Sequence, residues 1–260
     1  MSDSDAKAEW LPVDETLRSV LISDQPLFIT EDEIPADAGV KVHPEEYKSW
    51  GAVRVSTDFI DELAKKHGGK VLHPRLITYE KFPMLYRAAG QLRNREMMLF
   101  DPASGKPLHY PNDQRYGVTE DGVEVFPRTN PCVMGLVELE GEDKCLIVRT
   151  VAHPYRWSVV AGYVENGETI EEAFIREVAE EAGRRIIDKP QYLFSQPWPV
   201  SSSLMFAMRA TTRDVDAVLP TDGELVETRW ITKDEIRDPG FAMPNAGSTA
   251  GQLLRLWRDE

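Results

Sequence analysis

Residues 162–184 read GYVENGETIEEAFIREVAEEAGR, and the expected fold and chemistry of the chain follow from them. Three of the glutamates in this stretch, Glu177, Glu180 and Glu181, fall within five positions. Residues three and four apart share one face of a helix, so these carboxylates are expected to point the same way and repel one another. A protein keeps such a cluster when a cation offsets it, and carboxylate oxygens suit Mg²⁺ or Mn²⁺. The stretch therefore predicts a divalent-cation site on a helix.

The residues around the cluster indicate where this helix starts and stops. Thr169 and Glu172 have the form of a capping box, in which a hydroxyl N-cap precedes a carboxylate three residues on. Gly183 is a natural C-terminal stop. Arg176 lies within reach of the acidic face and can hold a carboxylate in position. An apolar stripe at helical spacing runs through Ile170, Ala173, Phe174 and Val178.

The stretch resembles the Nudix box, G-x5-E-x7-R-E-U-x-E-E-x-G-U, in which U is an aliphatic residue. Arg184 takes the final aliphatic position, which packs the exit of the helix, so this departure concerns local packing rather than metal binding. The alternative, a solvated acidic helix, does not account for so many fixed positions in this order. The matching positions are Gly162, Glu168, Arg176, Glu177, Val178, Glu180, Glu181 and Gly183.

Composition limits the class of protein. The chain has 260 residues, of which 42% are hydrophobic and 28% charged, as in soluble globular proteins. A net charge of −14 argues against DNA or another broad nucleic-acid footprint, although bound cations would still allow a small phosphate-containing substrate. The start, MSDSDAKAEW, is unlike a signal peptide, and no apolar run reaches transmembrane length. The sequence predicts a cytoplasmic protein with no membrane contact.

The N-terminal half gives few signals. The run at 10–30 suggests a strand or two, and the run at 58–70 suggests a short helix that ends at Gly68 and Gly69. Residues 82–100 have helical periodicity with basic residues interleaved and could connect the two halves of the chain. A turn-rich run follows at 101–131.

The C-terminal half changes to strands rich in β-branched and aromatic residues. A hairpin is expected at Gly141, a short helix at 233–237 and a last helix at 249–258, with Thr249 and Gln252 placed as a capping box. Strands with one central and one terminal helix fit a mixed sheet between helices, which the Nudix resemblance also implies. The predicted strands lie in 132–140, 144–150, 157–164, 191–199, 204–212 and 226–232.

The predicted fold class is α+β: a Nudix α/β/α sandwich with a mixed sheet, preceded by a small α/β domain. We expect an N-terminal α/β domain of unknown role at 1–95, a connector at 96–128 and the Nudix hydrolase domain at 129–260.

A second motif, SQPWPVSSSLM at 195–205, narrows the substrate. From the residues alone, Trp198 would be a core residue and the serines a loop. The stretch nevertheless resembles SQPWPFPxS, which follows the Nudix box in the NADH pyrophosphatase subfamily. Val200 and Ser201 replace the usual Phe and Pro, and both positions shape the stiffness of the loop. The resemblance implies a dinucleotide substrate, and it extends from about Tyr86 to the C-terminus.

The subfamily commonly carries a four-cysteine zinc ribbon before the catalytic domain. This chain has only two cysteines, Cys132 and Cys145, and both lie in apolar runs typical of core thiols. Turn residues at 101–105 and 119–122 occupy the positions of the two zinc knuckles, and turns of this kind can hold a hairpin without metal. We therefore expect a connector without zinc.

The resemblance also implies the roles of the acidic residues. Glu177, Glu180 and Glu181 would ligate Mg²⁺ or Mn²⁺, helped by the backbone carbonyl of Ala161. Glu224, which precedes Trp230 as in the family, would add a further carboxylate, unless it is only a surface charge. Glu181 or Glu224 would take the proton from the attacking water, and the two are not separated because clustered carboxylates titrate together. Glu168 is expected to pair with Arg176 and support the loop.

Substrate contacts are implied in the same way. Tyr163 and Phe126 match aromatic residues that stack on the dinucleotide, the second of them across a homodimer, although either could be a core residue. Ser203 and Met205 would line the same pocket, and Ala250 lies in the segment that matches the family's Gly-Thr-Val-Ala.

The expected activity is cleavage of NADH or NAD⁺ into a nicotinamide mononucleotide and AMP. Removal of an NAD cap from an RNA 5′ end is a close variant of this reaction. ADP-ribose stays a possible substrate because the SQPWP tail is altered. A module that senses a nucleotide without hydrolysis is the alternative class, and it would be expected if box carboxylates were missing.

Overall fold

The structure, a computed structural model, describes residues 9–43, 50–76, 79, 81–111 and 115–260. The start of the chain at 1–8 and residues 112–114 of the turn-rich run, both used above, lie outside the described residues. The chain divides into two units, Met1–Thr129 with Trp198–Ser202 and Asn130–Pro197 with Ser203–Glu260. The predicted division into 1–95, 96–128 and 129–260 stays a prediction.

The first unit contains the two helices expected in the N-terminal half. Helix α1 (Thr57–His67) begins at Ser56, whose Oγ accepts a hydrogen bond from the amide of Phe59 at 3.2 Å, and ends at Gly68 with a φ of 63°. Helix α2 (Pro83–Met97) has proline in its first turn. The strands are β1 (Glu9–Asp14), β2 (Ser19–Ile22), β3 (Gln25–Pro26), β4 (Ile29–Thr30), β5 (Lys41–Val42), β6 (Gly51–Val55), β7 (Lys70–Leu72), β8 (Gly117–Val118) and β9 (Glu124–Val125).

The described part of this unit contains short sheets, of which the four-stranded one is buried on both faces: Leu11 and Ala52 lie in one apolar cluster, Trp10 and Val53 in another. The strand orders of these sheets are β4-β1-β6-β5, β3-β2-β7 and β8-β9. Helix α2 packs Leu85 and Leu92 against Leu11 of β1, and α1 packs Ile60 against Val20 of β2. Short 3-10 helices span Glu31–Glu33 and Pro74–Leu76.

The connector turns in this unit are held by polar side chains. The Asp101 carboxylate accepts hydrogen bonds from the amides of Ala103 and Ser104 at 3.1 and 3.0 Å. In the second turn, Thr119 Oγ1 donates to Asp121 Oδ1 at 2.7 Å. Lys106 Nζ lies 2.6 Å from Asp121 Oδ2 and so links the two turns at 101–105 and 119–122.

The second unit, described throughout, is built on a mixed sheet of order β13-β14-β10-β11-β15, with β12 also paired to β10. β10 pairs parallel with β14 and antiparallel with β11 and β12. The expected hairpin at Gly141 joins β10 to β11. The elements are β10 (Asn130–Leu139), β11 (Lys144–Thr150), β12 (Val160–Tyr163), α3 (Ile170–Ala182), β13 (Gln191–Trp198), β14 (Ser203–Thr212), β15 (Leu225–Thr232), α4 (Lys233–Arg237) and α5 (Thr249–Asp259).

Helices α3 and α5 cover opposite faces of this sheet, because side chains alternate along each strand. Val133 and Val137 of β10 pack with Phe174 of α3, whereas Leu136 of β10 packs with Leu253 of α5. This α/β/α arrangement with a mixed sheet confirms the predicted fold class. No helix in the described ranges combines the length and the hydropathy that a bilayer span requires.

The predicted start of the last helix is wrong in one respect. The N-cap of α5 is Ser248, whose Oγ accepts a hydrogen bond from the amide of Gly251 at 3.1 Å. Thr249 and Gln252 therefore form no capping box. The Thr249 side chain is buried instead and donates from Oγ1 to Oε1 of Gln196 at 2.7 Å, so a tertiary partner determines which hydroxyl caps the helix.

Candidate active site

Helix α3 presents the acidic cluster because local signals fix both of its ends. Thr169 Oγ1 accepts a hydrogen bond from the amide of Glu172 at 3.2 Å, and the Glu172 carboxylate accepts one from the amide of Thr169 at 2.9 Å. Gly183 closes the helix with a φ of 66°. Phe174 and Val178 are buried against the sheet. Both predicted helix ends are confirmed.

Arg176 ties the loop before α3 to the acidic face. Its guanidinium pairs with both oxygens of Glu168, Nε to Oε1 at 2.7 Å and Nη2 to Oε2 at 3.0 Å. Nη1 donates to Glu177 at 2.8 Å and to Glu180 at 3.0 Å, and Nη2 also donates to the carbonyl of Tyr163 at 2.8 Å. The hydrogen bond from Arg176 also lowers the pKa of Glu168. The expected pairing of Glu168 with Arg176 is present, and it holds the loop rather than leaving Glu168 free.

Glu181 is the most unusual carboxylate in the cluster. It is 5% exposed, it accepts a hydrogen bond from the backbone N–H of Ala161, and its Oε2 has no hydrogen-bond partner in the described part of the chain. Burial, and next to it the charge of Glu177, raise the pKa of Glu181 to about 8. A buried carboxylate oxygen without a partner costs free energy. It is a position where a cation would be bound strongly.

Gly162, which has no side chain, leaves the space that the Glu177 carboxylate occupies. A Cβ at Gly162 would lie 1.8 Å from Cδ of Glu177, so the carboxylate occupies the space that any other residue would fill. Burial raises the pKa of Glu177, while its hydrogen bond from Arg176 acts in the opposite direction.

The carboxylate oxygens of this cluster suit a divalent cation, although two of the carboxylates are paired with Arg176. Within the described residues, no three Asp, Glu, His or Cys side chains converge closely enough to hold an ion as they stand. Arg176 Nη1 bridges Glu177 and Glu180, whereas no cationic side chain of the described residues pairs with Glu181. Hard oxygen donors with an orphaned buried oxygen suit Mg²⁺ or Mn²⁺.

Glu224 lies next to the cluster at the start of β15. It is exposed, its amide donates to Asp222 Oδ1 at 2.9 Å, and its carbonyl accepts from the amide of Val151 at 2.8 Å. Its charge contributes to the raised pKa of both Glu177 and Glu181, after the larger effect of burial. The structure therefore brings Glu224 into electrostatic range of the box carboxylates.

The predicted substrate-binding residues of this unit lie on the other face of the sheet. Tyr163 of β12 and Met205 of β14 are both register partners of Cys132 on β10, so the three side chains form a row. Tyr163 is 54% exposed and is not a core residue, whereas Met205 and Ser203 are buried. Ala250 is buried in the cluster under α5.

Phe126 belongs to the first unit, and the residues above belong to the second. Its side chain is 62% exposed, with the ring centroid 5.1 Å from that of Tyr116. It is therefore not a core residue of the described unit.

Gln196 was missed by sequence reasoning, although it lies within the SQPWP motif. Its side chain is 1% exposed. Nε2 donates to the carbonyl of Gly247 at 2.7 Å, and Oε1 accepts from Thr249 Oγ1 at 2.7 Å. This amide therefore joins the SQPWP strand to the segment that carries Ala250, the two stretches that separately resemble the dinucleotide-binding family.

Comparison with known proteins finds relatives of the part of the chain that carries this site. The family model described as NUDIX domain matches residues 129–251. The chain is 42% identical over 134 residues to the NAD-capped RNA hydrolase NudC of Mycobacterium bovis (strain BCG / Pasteur 1173P2), a match that covers 51% of this chain and 42% of that protein. It is 34% identical over 140 residues to the human NAD-capped RNA hydrolase NUDT12, covering 51% of this chain and 30% of that protein.

Among solved structures, a Nudix hydrolase from Nitrosomonas europaea superposes with a TM-score of 0.47 at 24% identity, over 63% of this chain and 92% of that one. The match covers less than half the length of the two relatives named above, 42% of the Mycobacterium bovis protein and 30% of the human protein.

Proposed function

Because residues 129–251 of this chain form a Nudix domain, we propose that it is a metal-dependent pyrophosphohydrolase. Its proposed reaction splits the diphosphate of NADH or NAD⁺ into a nicotinamide mononucleotide and AMP. The observation that carries the proposal is the buried Glu181 carboxylate, whose Oε2 lacks a partner among the described residues and which lies in the fields of Glu177 and Glu224.

Glu177, Glu180, Glu181 and Glu224, with the carbonyl of Ala161, are the proposed holders of Mg²⁺ or Mn²⁺. Such ions neutralise charge that develops on phosphoryl oxygens and lower the pKa of water. Arg176 keeps Glu168 and the loop in place through the bidentate pair at 2.7 and 3.0 Å. Glu181 or Glu224 accepts the proton of the attacking water, since both carboxylates lie at the acidic cluster.

The substrate side of the proposal rests on the α5 face. Tyr163 offers an exposed ring on which nicotinamide or adenine can stack. Ser203, Met205 and Ala250 lie on the same face of the sheet, and Gln196 joins two of the motifs there. The similarity to two NAD-capped RNA hydrolases supports an NAD-containing substrate and favours an NAD-capped RNA 5′ end as the second candidate.

Turnover experiments test the proposal. The protein is incubated with NADH, NAD⁺, ADP-ribose or an NAD-capped oligonucleotide, plus Mg²⁺ or Mn²⁺, and the products are separated by chromatography. We expect a nicotinamide mononucleotide in equal amount to AMP from the free dinucleotides. Turnover of ADP-ribose alone would demote the dinucleotide assignment. No turnover of any of the four by folded protein would favour a sensing module.

The proposal extends to assembly and location. A cytoplasmic homodimer, in which Phe126 reaches the partner's site, is the arrangement that the family resemblance implies, without zinc in the connector and without DNA or membrane partners. Sedimentation velocity is the direct check, because a monomer at micromolar concentration would contradict the dimer.

A further inference from the structure

Arg184, the one departure from the box, is buried rather than exposed. Its side chain donates from Nη1 to the carbonyl of Ala182 at 2.7 Å and from Nη2 to the carbonyl of Val215 at 3.0 Å. The guanidinium also lies 3.5 Å from Thr228 Oγ1 and 5.5 Å from the ring centroid of Trp230. Its exposure is 4%, so an aliphatic packing position holds a cation with a set of fixed acceptors.

Burying a guanidinium is expensive unless its surroundings compensate. Burial lowers the pKa of Arg184, while the charges of Asp216 and Asp214 act in the opposite direction. Arginine keeps its charge in proteins, so the contacts with backbone carbonyls are charge-assisted. Its Nε has no partner among the described residues, so the guanidinium is only partly hydrogen-bonded.

The contact with Val215 joins α3 to the segment of residues 215–224, named here the tethered segment. Gly183, at the end of α3, accepts hydrogen bonds at its carbonyl from the amides of Val218 and Leu219, at 2.8 and 3.0 Å. The side chains of Val215, Val218 and Leu219 are exposed. Hydrophobic burial of these side chains does not hold the segment. Polar contacts hold it instead: those with the helix end, and the bond that Trp230 Nε1 of β15 donates to the same Val215 carbonyl at 2.8 Å.

The tethered segment ends in the acidic cluster. The amide of Asp222 donates to the carbonyl of Glu180 at 3.0 Å, and the amide of Glu224 donates to Asp222 Oδ1 at 2.9 Å. The charges of Glu224 and Asp222 both act on Glu181. The position of Glu224 beside Glu181 therefore depends on this segment from one side and, from the other, on the bond that the Val151 amide donates to the Glu224 carbonyl at 2.8 Å.

We propose that Arg184 is a positioning residue, whose guanidinium fixes the tethered segment against the end of α3 and so holds Glu224 beside Glu181. This role rests on the proposed function. It assigns a purpose to the position where the family has an aliphatic residue and this chain has a buried cation.

The test compares Arg184→Leu, which restores the residue type of the family, with Arg184→Lys, which keeps the charge but not the planar fork. Loss of a residue that orients a ligating group costs about 10–100-fold in metal affinity or activity. We expect Arg184→Leu to lower kcat for NADH and to weaken Mn²⁺ binding in calorimetry by a factor in that range, with little change in KM. The kcat and the Mn²⁺ affinity of Arg184→Lys are expected to lie between those of Arg184→Leu and the wild type.

The matched control is Arg213→Leu, which removes an exposed ion pair with Glu140 and leaves the tether intact. It should bind Mn²⁺ and turn over NADH as the wild type does. Hydrogen exchange of the amides of Val218, Leu219 and Asp222 should speed up at least tenfold in Arg184→Leu and stay unchanged in the control. Unchanged protection in Arg184→Leu would overturn the proposal. If Arg184→Leu does not fold, the amide exchange and Mn²⁺ binding of Arg184→Lys are compared with those of the wild type and the control instead.

A double-mutant cycle with Glu224→Gln separates positioning from general stability. If Arg184 acts through Glu224, the Leu substitution should weaken Mn²⁺ binding in the wild type and have almost no effect in the Glu224→Gln background. Equal effects in both backgrounds contradict the proposal, whatever the turnover. A chain that shows the Mn²⁺ coupling but hydrolyses no dinucleotide would refute the proposed function and leave this role of Arg184 standing. A wild-type chain that binds no Mn²⁺ overturns both.

Discussion

Gly162 and Glu177 show, at the scale of single residues, how closely the acidic cluster is built. Glu177 fills the space beside Gly162 where a side chain would otherwise lie. Glu181 is held on one side by the N–H of Ala161 and keeps one buried oxygen without a partner in the described residues. These groups are costly to bury, and the proposed cation would offset that cost.

Gly162→Ala should impair catalysis more than folding. The new Cβ would lie 1.8 Å from Cδ of Glu177, so the carboxylate must move. A displacement of about 1 Å in a catalytic group can cost about 10²-fold in rate. We expect kcat for NADH to fall by about that factor, with a circular dichroism spectrum like that of the wild type. Gly90→Ala is the control, because its Cβ would meet only Pro199 Cβ at 4.0 Å.

Gln196→Leu tests the link between the two substrate motifs. The change leaves the carbonyl of Gly247 and the hydroxyl of Thr249 without their 2.7 Å partners. Each buried polar group so orphaned costs about 1–3 kcal/mol. The free energy of unfolding in urea should fall accordingly, and KM for NADH should rise. Gln252→Leu on α5 is the matched control, since Nε2 of Gln252 has no partner in the described chain and its loss should cost little.

The local sequence is sufficient to predict the acidic cluster of the box, but it does not predict the long-range contacts of Gln196 and Arg184. The box residues are close in the chain, so helical spacing alone brings Glu177 and Glu181 near each other. Gln196 meets its partners 51 and 53 positions away, and such pairings are not visible in a single sequence. The sequence predicts only a change of packing at Arg184, because its contact with Val215 lies 31 positions away.

Helix ends show the same contrast at the scale of elements. The ends of α3 were predictable because Thr169, Glu172 and Gly183 cap it through neighbours in sequence. At α5 two hydroxyl residues stand side by side, and Ser248 caps the helix because Thr249 is committed to Gln196. Capping propensity could not decide between them without the tertiary partner.

Thr169→Ala removes the N-cap of α3. The amide of Glu172 then loses its acceptor at 3.2 Å, and the reciprocal bond at the Thr169 amide loses its geometry. Losing such a cap costs about 1 kcal/mol of stability. Urea denaturation should report a decrease of that size. Thr169→Ser keeps the hydroxyl and should restore most of it; an equal loss in both variants would show that the cap does not matter.

At the scale of the whole chain, strand existence was predictable but strand order was not. Alternation and β-propensity located the runs that became β10, β11, β13, β14 and β15. The parallel pairing of β10 with β14 joins Asn130 to Ser203, and this long-range pairing carries no local signal. Together with the antiparallel pairing of β12 with β10, it places Tyr163 and Met205 on either side of Cys132, on the face of the sheet opposite α3.

Metal removal should separate the proposed catalytic ions from the connector. EDTA should abolish NADH hydrolysis and Mn²⁺ should restore it, because the acidic cluster is the proposed holder of the ions. The Tm of the chain should not change with a zinc-selective chelator, because Asp101, Thr119 and Lys106 hold the connector turns by hydrogen bonds and an ion pair. A fall in Tm that added zinc reverses would contradict a connector without zinc.

The most direct test of the central claim is the kcat of Glu181→Gln for NADH at saturating Mn²⁺, measured beside its thermal unfolding. The amide keeps the shape of the side chain and removes the charge that the proposed ions and the proton transfer need. We expect kcat to fall by about 10²–10⁴-fold, the range for loss of a general base, while the chain stays folded. A folded Glu181→Gln variant that hydrolyses NADH at the wild-type rate would contradict the assignment of the acidic cluster as the hydrolytic centre.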